Sequence, residues 1–161
     1  MKNDYDDDFI PRRQTFNSVG YDIYAVEDML IEPWSKTFDT GVKFTGEEVP
    51  LIRTETNTYT KISANLYNKY INEEEIYPKE WVALIVPRSS MGFKHGLQMA
   101  NTICVIDSDY RDTIKVKMKA DHRFTITKGE RYAQMIFLPH CVLLDEIEPV
   151  KERSGGIGST N

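Results

Sequence analysis

Thr113-Ile114-Lys115-Val116-Lys117-Met118-Lys119 puts Ile114, Val116 and Met118 on one side of an extended chain and three lysines on the other. Side chains of a strand alternate between faces, so this two-residue period describes a strand with one face buried and one in water, the habit of antiparallel sheets. Short runs of the same kind lie on either side of it, at 21–25, 40–44, 81–86, 102–106, 123–127, 132–138 and 141–147, separated by Gly, Pro, Asp or Lys-Gly turns. Many short strands punctuated by turns predict an all-β sandwich or barrel, and no internal repeat points to a solenoid or propeller. Helical spacing is confined to 62–71, where Ile62, Leu66 and Tyr70 recur, and to a short turn after Ser89.

The 161 residues fit one domain, and a hydrophobic content of 40% can fill a core without staples. A formal net charge of −5 argues against direct nucleic-acid binding, which draws on Lys and Arg, so a phosphate ligand requires a local basic pocket. Cys104 and Cys141 stand in apolar runs without zinc-site spacing and read as reduced thiols, in keeping with a cytoplasmic setting. The N-terminal stretch, with Asp4 and Asp6 to Asp8, predicts neither a signal nor a transit peptide, and no run is long enough for a membrane span. Residues 46–80 are the least regular and read as an insertion; the acidic run Glu73 to Glu75 suits a solvated face. The first dozen residues and the Gly-Ser-rich 154–161 read as loose ends, the latter either as a frayed tail or as a lid whose amides close over an anion.

Four stretches carry chemistry. Pro87-Arg88-Ser89-Ser90-Met91-Gly92 follows an apolar strand and offers a guanidinium, two hydroxyls and helix-end amides to an anion; plain helix capping is the alternative. From Asn101 to Arg111, apolar residues lead through Cys104, Val105 and Ile106 into Asp107, Asp109 and Tyr110 at a predicted hairpin turn. Asp107 there could deprotonate a water, or merely satisfy turn amides. In Gly129 to Ile136, Gln134 is the one polar side chain between Ala133 and Leu138, and a buried amide needs a partner. The tail from Glu152 to Thr160 holds one cation, Arg153. His95, His122 and His140 show no metal-ligand spacing, and no phosphate-binding P-loop or dinucleotide fingerprint occurs.

Taken in order, Gly20 to Ala25, Pro87 to Met91, Val105 to Arg111, Gly129 to Ile136 and Arg153 to Thr160 resemble the five motifs of the trimeric dUTPase family. Residues 87–112 look particularly like bacteriophage dUTPases. The resemblance implies a dUTPase-like β-barrel or jelly roll over 1–151, with one or two short helices and the 46–80 insertion, and a flexible lid over 152–161. It also implies a homotrimer in which each active site draws on more than one subunit. The activity it implies is hydrolysis of dUTP to dUMP and pyrophosphate, supplying dUMP for dTMP synthesis and keeping uracil out of DNA, in the cytoplasm (the host's, if phage-encoded). By the same resemblance Asp107 activates the attacking water, and Arg88, Ser89, Ser90, Gln134 and Arg153 grip the phosphates. Asn101, Cys104, Val105, Ile106 and Tyr110 hold uracil and deoxyribose, and Ile157, Gly158 and Ser159 belong to the lid. Mg²⁺ is held by the triphosphate rather than directly by protein, with Asp22 at most an outer-sphere partner.

Five departures accompany the likeness: Arg153 stands one residue closer to Gly155-Gly156 than in the common pattern, Cys104 and Asp112 stand where the family commonly has Gly, and two more bear on the lid and the N-terminus. Ile157 stands where the family has a Phe stacking on uracil, which makes Phe93 and Phe124 candidates for a replacement ring. The chain also leaves little sequence before the first motif for the family's N-terminal strand. The nearest rival, dCTP deaminase, needs a Glu on the strand after the third motif, and 113–119 has none. A regulatory role, with the insertion as a partner-binding surface, is compatible with either activity.

Overall fold

The computed structural model describes residues 1–45, 51–53, 59–61 and 81–139. Its strands are β1 (Lys2–Asn3), β2 (Tyr21–Tyr24), β3 (Met29–Ile31), β4 (Lys36–Asp39), β5 (Val42–Lys43), β6 (Leu51–Arg53), β7 (Tyr59–Lys61), β8 (Trp81–Pro87), β9 (Gln98–Met99), β10 (Cys104–Asp107), β11 (Lys115–Lys119), β12 (Phe124–Ile126) and β13 (Arg131–Pro139). One helix, α1 (Ser89–His95), and a 3-10 turn at Asp7–Phe9 complete the described elements. The helix expected at 62–71, the strand expected at 141–147, Cys141 and the tail lie outside the described residues.

A four-stranded antiparallel sheet in the order β10-β8-β13-β2 and a three-stranded one in the order β4-β11-β9 hold most of the described strand residues, and β12-β3, β1-β5 and β6-β7 form separate pairs. The alternation of 115–119 decides its faces as expected: Val116 and Met118 are buried, and the three lysines are exposed. Ile23, Ile85, Ala133 and Met135 from the larger sheet join Phe38, Val116 and Met118 from the smaller in one core, so the two sheets share a single interior. At one end of it Phe44, Trp81 and Phe137 pack edge-on, with Phe44–Trp81 centroids 4.8 Å apart and Trp81–Phe137 5.0 Å. Such pairs add about 0.5–1.5 kcal/mol each beyond area burial.

Two expectations are corrected. The run 40–44 is no single strand: β4 ends at Asp39 and β5 begins at Val42. Gly41, at φ +71°, turns the chain between them, and its N–H donates to Asp39 Oδ1 at 2.7 Å. Buried Thr40 donates its hydroxyl to Ile114 O at 2.7 Å and accepts from Val42 N at 3.1 Å, so a polar residue in the core is fully used. The first dozen residues are not a loose end either. β1 pairs with β5 through Lys2↔Lys43 and Asn3↔Val42, which supplies a short N-terminal strand after all. Asn3 Nδ2 donates to Thr40 O at 3.2 Å, and Asp4 meets Lys43 at 2.6 Å and the Thr113 hydroxyl at 3.0 Å. Those two partners hold the Asp4 carboxyl below the ordinary range.

Candidate active site

The bulge on β13 builds the site. Arg131 pairs with Tyr24 and Ala133 with Ile23, so Tyr132 is an extra residue on its strand and the register shifts there. Beyond the bulge Gln134 faces Asp22 on β2 and Val86 on β8. The Arg88 N–H donates to Tyr132 O at 3.0 Å, extending the ladder by one residue and fixing where the Arg88 side chain departs. Asp22, buried, then receives two guanidiniums: Arg88 Nε on Oδ1 at 3.1 Å and Arg131 Nη1 on Oδ2 at 3.0 Å. Two cations on one carboxylate leave a local excess of positive charge in an acidic protein, the kind of basic pocket that a phosphate ligand requires. Arg88 Nη1 also donates to Arg131 O at 3.3 Å, and Nη2 has no partner among the described residues.

Arg88, Ser89, Gln134 and Asp22 line one cleft of about 380 Å³, together with Gln14, Thr15, Ser18, Val19, Gly20 and Ile136. Three of the predicted phosphate residues are therefore neighbours; Ser90 follows on α1 outside the lining, and Arg153 lies beyond the described residues. Plain capping does not account for the two serines. The cap of α1 is Arg88, with no side-chain cap bond, and both Ser89 and Ser90 are exposed. Gly20 matters for contact rather than conformation: a Cβ there would run into the Gln134 amide, so glycine lets the 12–20 loop pass against that side chain. That loop wall was missed, because Gln14, Thr15 and Ser18 have no motif of their own and become neighbours of Arg88 only through the β2–β13 pairing.

The residues expected to hold base and sugar and to activate water form a second group. Asp107 ends β10, opposite Val82 at the start of β8, whereas Arg88 follows the other end of β8. Six residues of strand separate the two, about 20 Å at 3.3 Å per residue. The hairpin turn is closed backbone to backbone, Tyr110 N donating to Asp107 O at 3.1 Å, and Asp107 is exposed at its tip. Tyr110 is buried, and its hydroxyl donates to Thr113 O at 3.3 Å.

Among the described strands β10 is the outer one of its sheet, and outer strands present backbone groups to a partner. Its approach contains an unusual residue, Thr102 at φ +68°, where Ile103 N donates to Asn101 O at 2.7 Å in a three-residue turn. A β-branched residue at positive φ is strained, and such strain gathers at binding sites. Cys104 fits the regular β10–β8 ladder opposite Ile85, and burial pushes its thiol pKa up, so it stays protonated. Ile157, Gly158 and Ser159 lie outside the described residues. Of the two rings weighed as replacements for a stacking Phe, Phe124 is stacked under His95 at 3.9 Å, while Phe93 is 95% exposed. The sequence also missed that His95 Nδ1 meets His122 Nε2 at 3.2 Å.

Comparison with known proteins places this frame in a class. It is similar to the structure of a dUTPase variant from phage phi11 of S. aureus, described with a structural Mg(II) ion, with a TM-score of 0.58, 17% identity and coverage of 92% of this chain and 94% of that one. The fold is thus that of the dUTPases. The dUTPase family model matches residues 52–161. The deoxyuridine 5'-triphosphate nucleotidohydrolase of Nautilia profundicola is 31% identical over 161 residues, spanning 94% of this chain and 89% of that protein. That of Escherichia phage T5 is 42% identical over 90 residues, spanning 52% and 60%. The chain belongs to the dUTPase family. No helix among the described residues is long and apolar enough to cross a membrane.

Proposed function

We propose that the chain hydrolyses dUTP to dUMP and pyrophosphate, supplying dUMP for dTMP synthesis and keeping uracil out of DNA. The observation that carries this reading is the cleft in which Arg88, fixed by buried Asp22, stands with Ser89 and Gln134. A guanidinium and neutral donors around one cavity suit a chain of phosphates. The backbone of outer strand β10 would read uracil, with Asn101 beside it, and Tyr110 would pack on the deoxyribose.

A general base must stand within hydrogen-bond reach of the water it activates, or one water further. Asp107 lies about 20 Å along the sheet from Arg88, so one copy cannot bring both to one α-phosphorus. On this reading each site is shared, Asp107 coming from a second copy, within the homotrimer that the family resemblance implies. Asp107 takes a proton from water as its oxygen attacks the α-phosphorus in line; the α–β bridging oxygen leaves with pyrophosphate.

Both Asp22 oxygens are committed to arginines, which fits a Mg²⁺ ion carried in on the phosphate oxygens of the substrate rather than seated on this carboxylate. Such an ion would supply charge neutralisation for the departing pyrophosphate. Arg153 and the lid residues 157–159 would close over the phosphates and base. The insertion at 46–80 would be the surface for any regulatory partner.

Asp107→Asn is expected to lower turnover at least about a hundredfold while a non-hydrolysable dUTP analogue still binds, as loss of a general base requires. Calorimetry with the analogue beside a pyrophosphate-release assay checks this, and turnover retained at the wild-type level would overturn the assignment of Asp107.

A further inference from the structure

The cleft has a wall to which this mechanism gives no role. Thr15 and Ser18 line it alongside Arg88, Ser89 and Gln134, on the loop that joins the 3-10 turn to β2. We propose that the paired hydroxyls of Thr15 and Ser18 form a neutral subsite for the β- and γ-phosphate oxygens of the nucleotide. This inference rests on the reading of the cleft as the triphosphate site.

Hydrogen counting supports it. Thr15 Oγ1 and Ser18 Oγ are 2.7 Å apart, and Ser18 Oγ also accepts from Thr15 N at 3.2 Å. Two hydroxyls carry two hydrogens; whichever one lies between the oxygens, the other is left to donate to a third group. A phosphate oxygen only accepts, and it is the ligand the rest of the cleft already suits.

The loop is also fixed from behind. Arg13 Nη1 donates to Ser18 O at 3.1 Å, Gln14 Nε2 donates to Tyr24 Oη at 2.9 Å, and Asp22 N donates to Arg12 O at 2.8 Å. Arg12 Nη2 is spent on Asp7 O at 3.0 Å. What the loop offers the cleft is therefore held in place rather than recruited. The close pass of Gly20 against Gln134 ties this wall to a side chain of the phosphate grip.

Position along the substrate follows from the shared site. The α-phosphate must lie at the boundary between copies, where the second copy's hairpin arrives. The remainder of the phosphate chain then runs over residues of one copy, where the hydroxyl pair stands.

Thr15→Val together with Ser18→Ala removes both hydroxyls with little change of shape. It is expected to raise KM for dUTP about tenfold and to weaken inhibition by pyrophosphate similarly, with kcat within about twofold and inhibition by dUMP unchanged. Thr15→Ser, which keeps a hydroxyl, should behave as wild type. An unmoved KM and pyrophosphate inhibition in the double variant overturns the subsite. So does equal weakening toward dUMP, or a loss in Thr15→Ser as large as in the double variant, since either marks a general disturbance. If the wild-type chain releases no pyrophosphate from dUTP, the proposed function fails and the subsite with it; an active wild type beside an unaffected double variant removes the subsite alone.

Discussion

Under the proposed function, Asp22 would serve the site without touching a substrate. Its carboxylate is 9% exposed and bridges Arg88 and Arg131. Asp22→Asn preserves shape but leaves two partly buried guanidiniums facing an amide. Loss of charged hydrogen bonds of this kind costs on the order of 1–3 kcal/mol. The variant should melt at a lower temperature and show KM for dUTP raised roughly tenfold, because the Arg88 fork loses the anion that orients it. Thermal melts and steady-state kinetics check both; a lowered melting temperature with unchanged KM would mean that Arg88 finds its place without Asp22. The sequence alone pointed to Arg88, Ser89 and Gln134, since a guanidinium beside two serines and a lone amide on an apolar strand are visible as residue types. It could not show that Asp22 joins Arg88 to Arg131, because that contact depends on a bulge at Tyr132. Nor could it show that Arg12 and Arg13, cations near the site in sequence, each donate to a backbone carbonyl of the N-terminal segment.

At the scale of elements, the strands legible in the sequence were those buried on a regular face. β8, β11 and β13 carry apolar side chains long enough in run or strict enough in period to be read directly. β1 and β4 were not, because Lys-Asn and Lys-Thr-Phe-Asp contain one apolar residue between them, and their pairing is dictated by β5 and β11. Among the described helices and loops, α1 is docked at its C-terminal end through His95, which stacks on Phe124 and meets His122. Desolvation, then Lys94 and His122, lower the His95 pKa below the ordinary histidine value, with Glu130 opposing. A histidine with a lowered folded pKa binds its proton more readily when unfolded. Its contribution to stability is complete above about pH 6.5, the ordinary value, and is lost as pH falls through the lowered one. The melting temperature should decline from neutral pH toward pH 5, and His95→Asn should flatten that decline. Parallel profiles for the two chains would show that His95 is not the group involved.

For the whole molecule, the proposed function would divide its chemistry between two ends of one sheet. The chain brings Arg88 and Arg131 together on Asp22 where β2, β8 and β13 meet, and carries Asp107 opposite the far end of β8. Chains bearing Arg88→Ala and chains bearing Asp107→Asn should each be inactive alone. Unfolded, mixed in equal amounts and refolded together, they should recover activity, since a site pairing two intact halves arises in about a quarter of random combinations. Recovery of none would place both residues in one copy's site or in separate functions. The most direct measurement is pyrophosphate release by the wild-type chain from dUTP, dCTP, dTTP and UTP, with Mg²⁺ and with the ion chelated. The account predicts rapid release from dUTP with Mg²⁺, at least about a hundredfold less from the other three, and loss of the dUTP activity on chelation; equal release from dCTP or UTP, or none from dUTP, would contradict it.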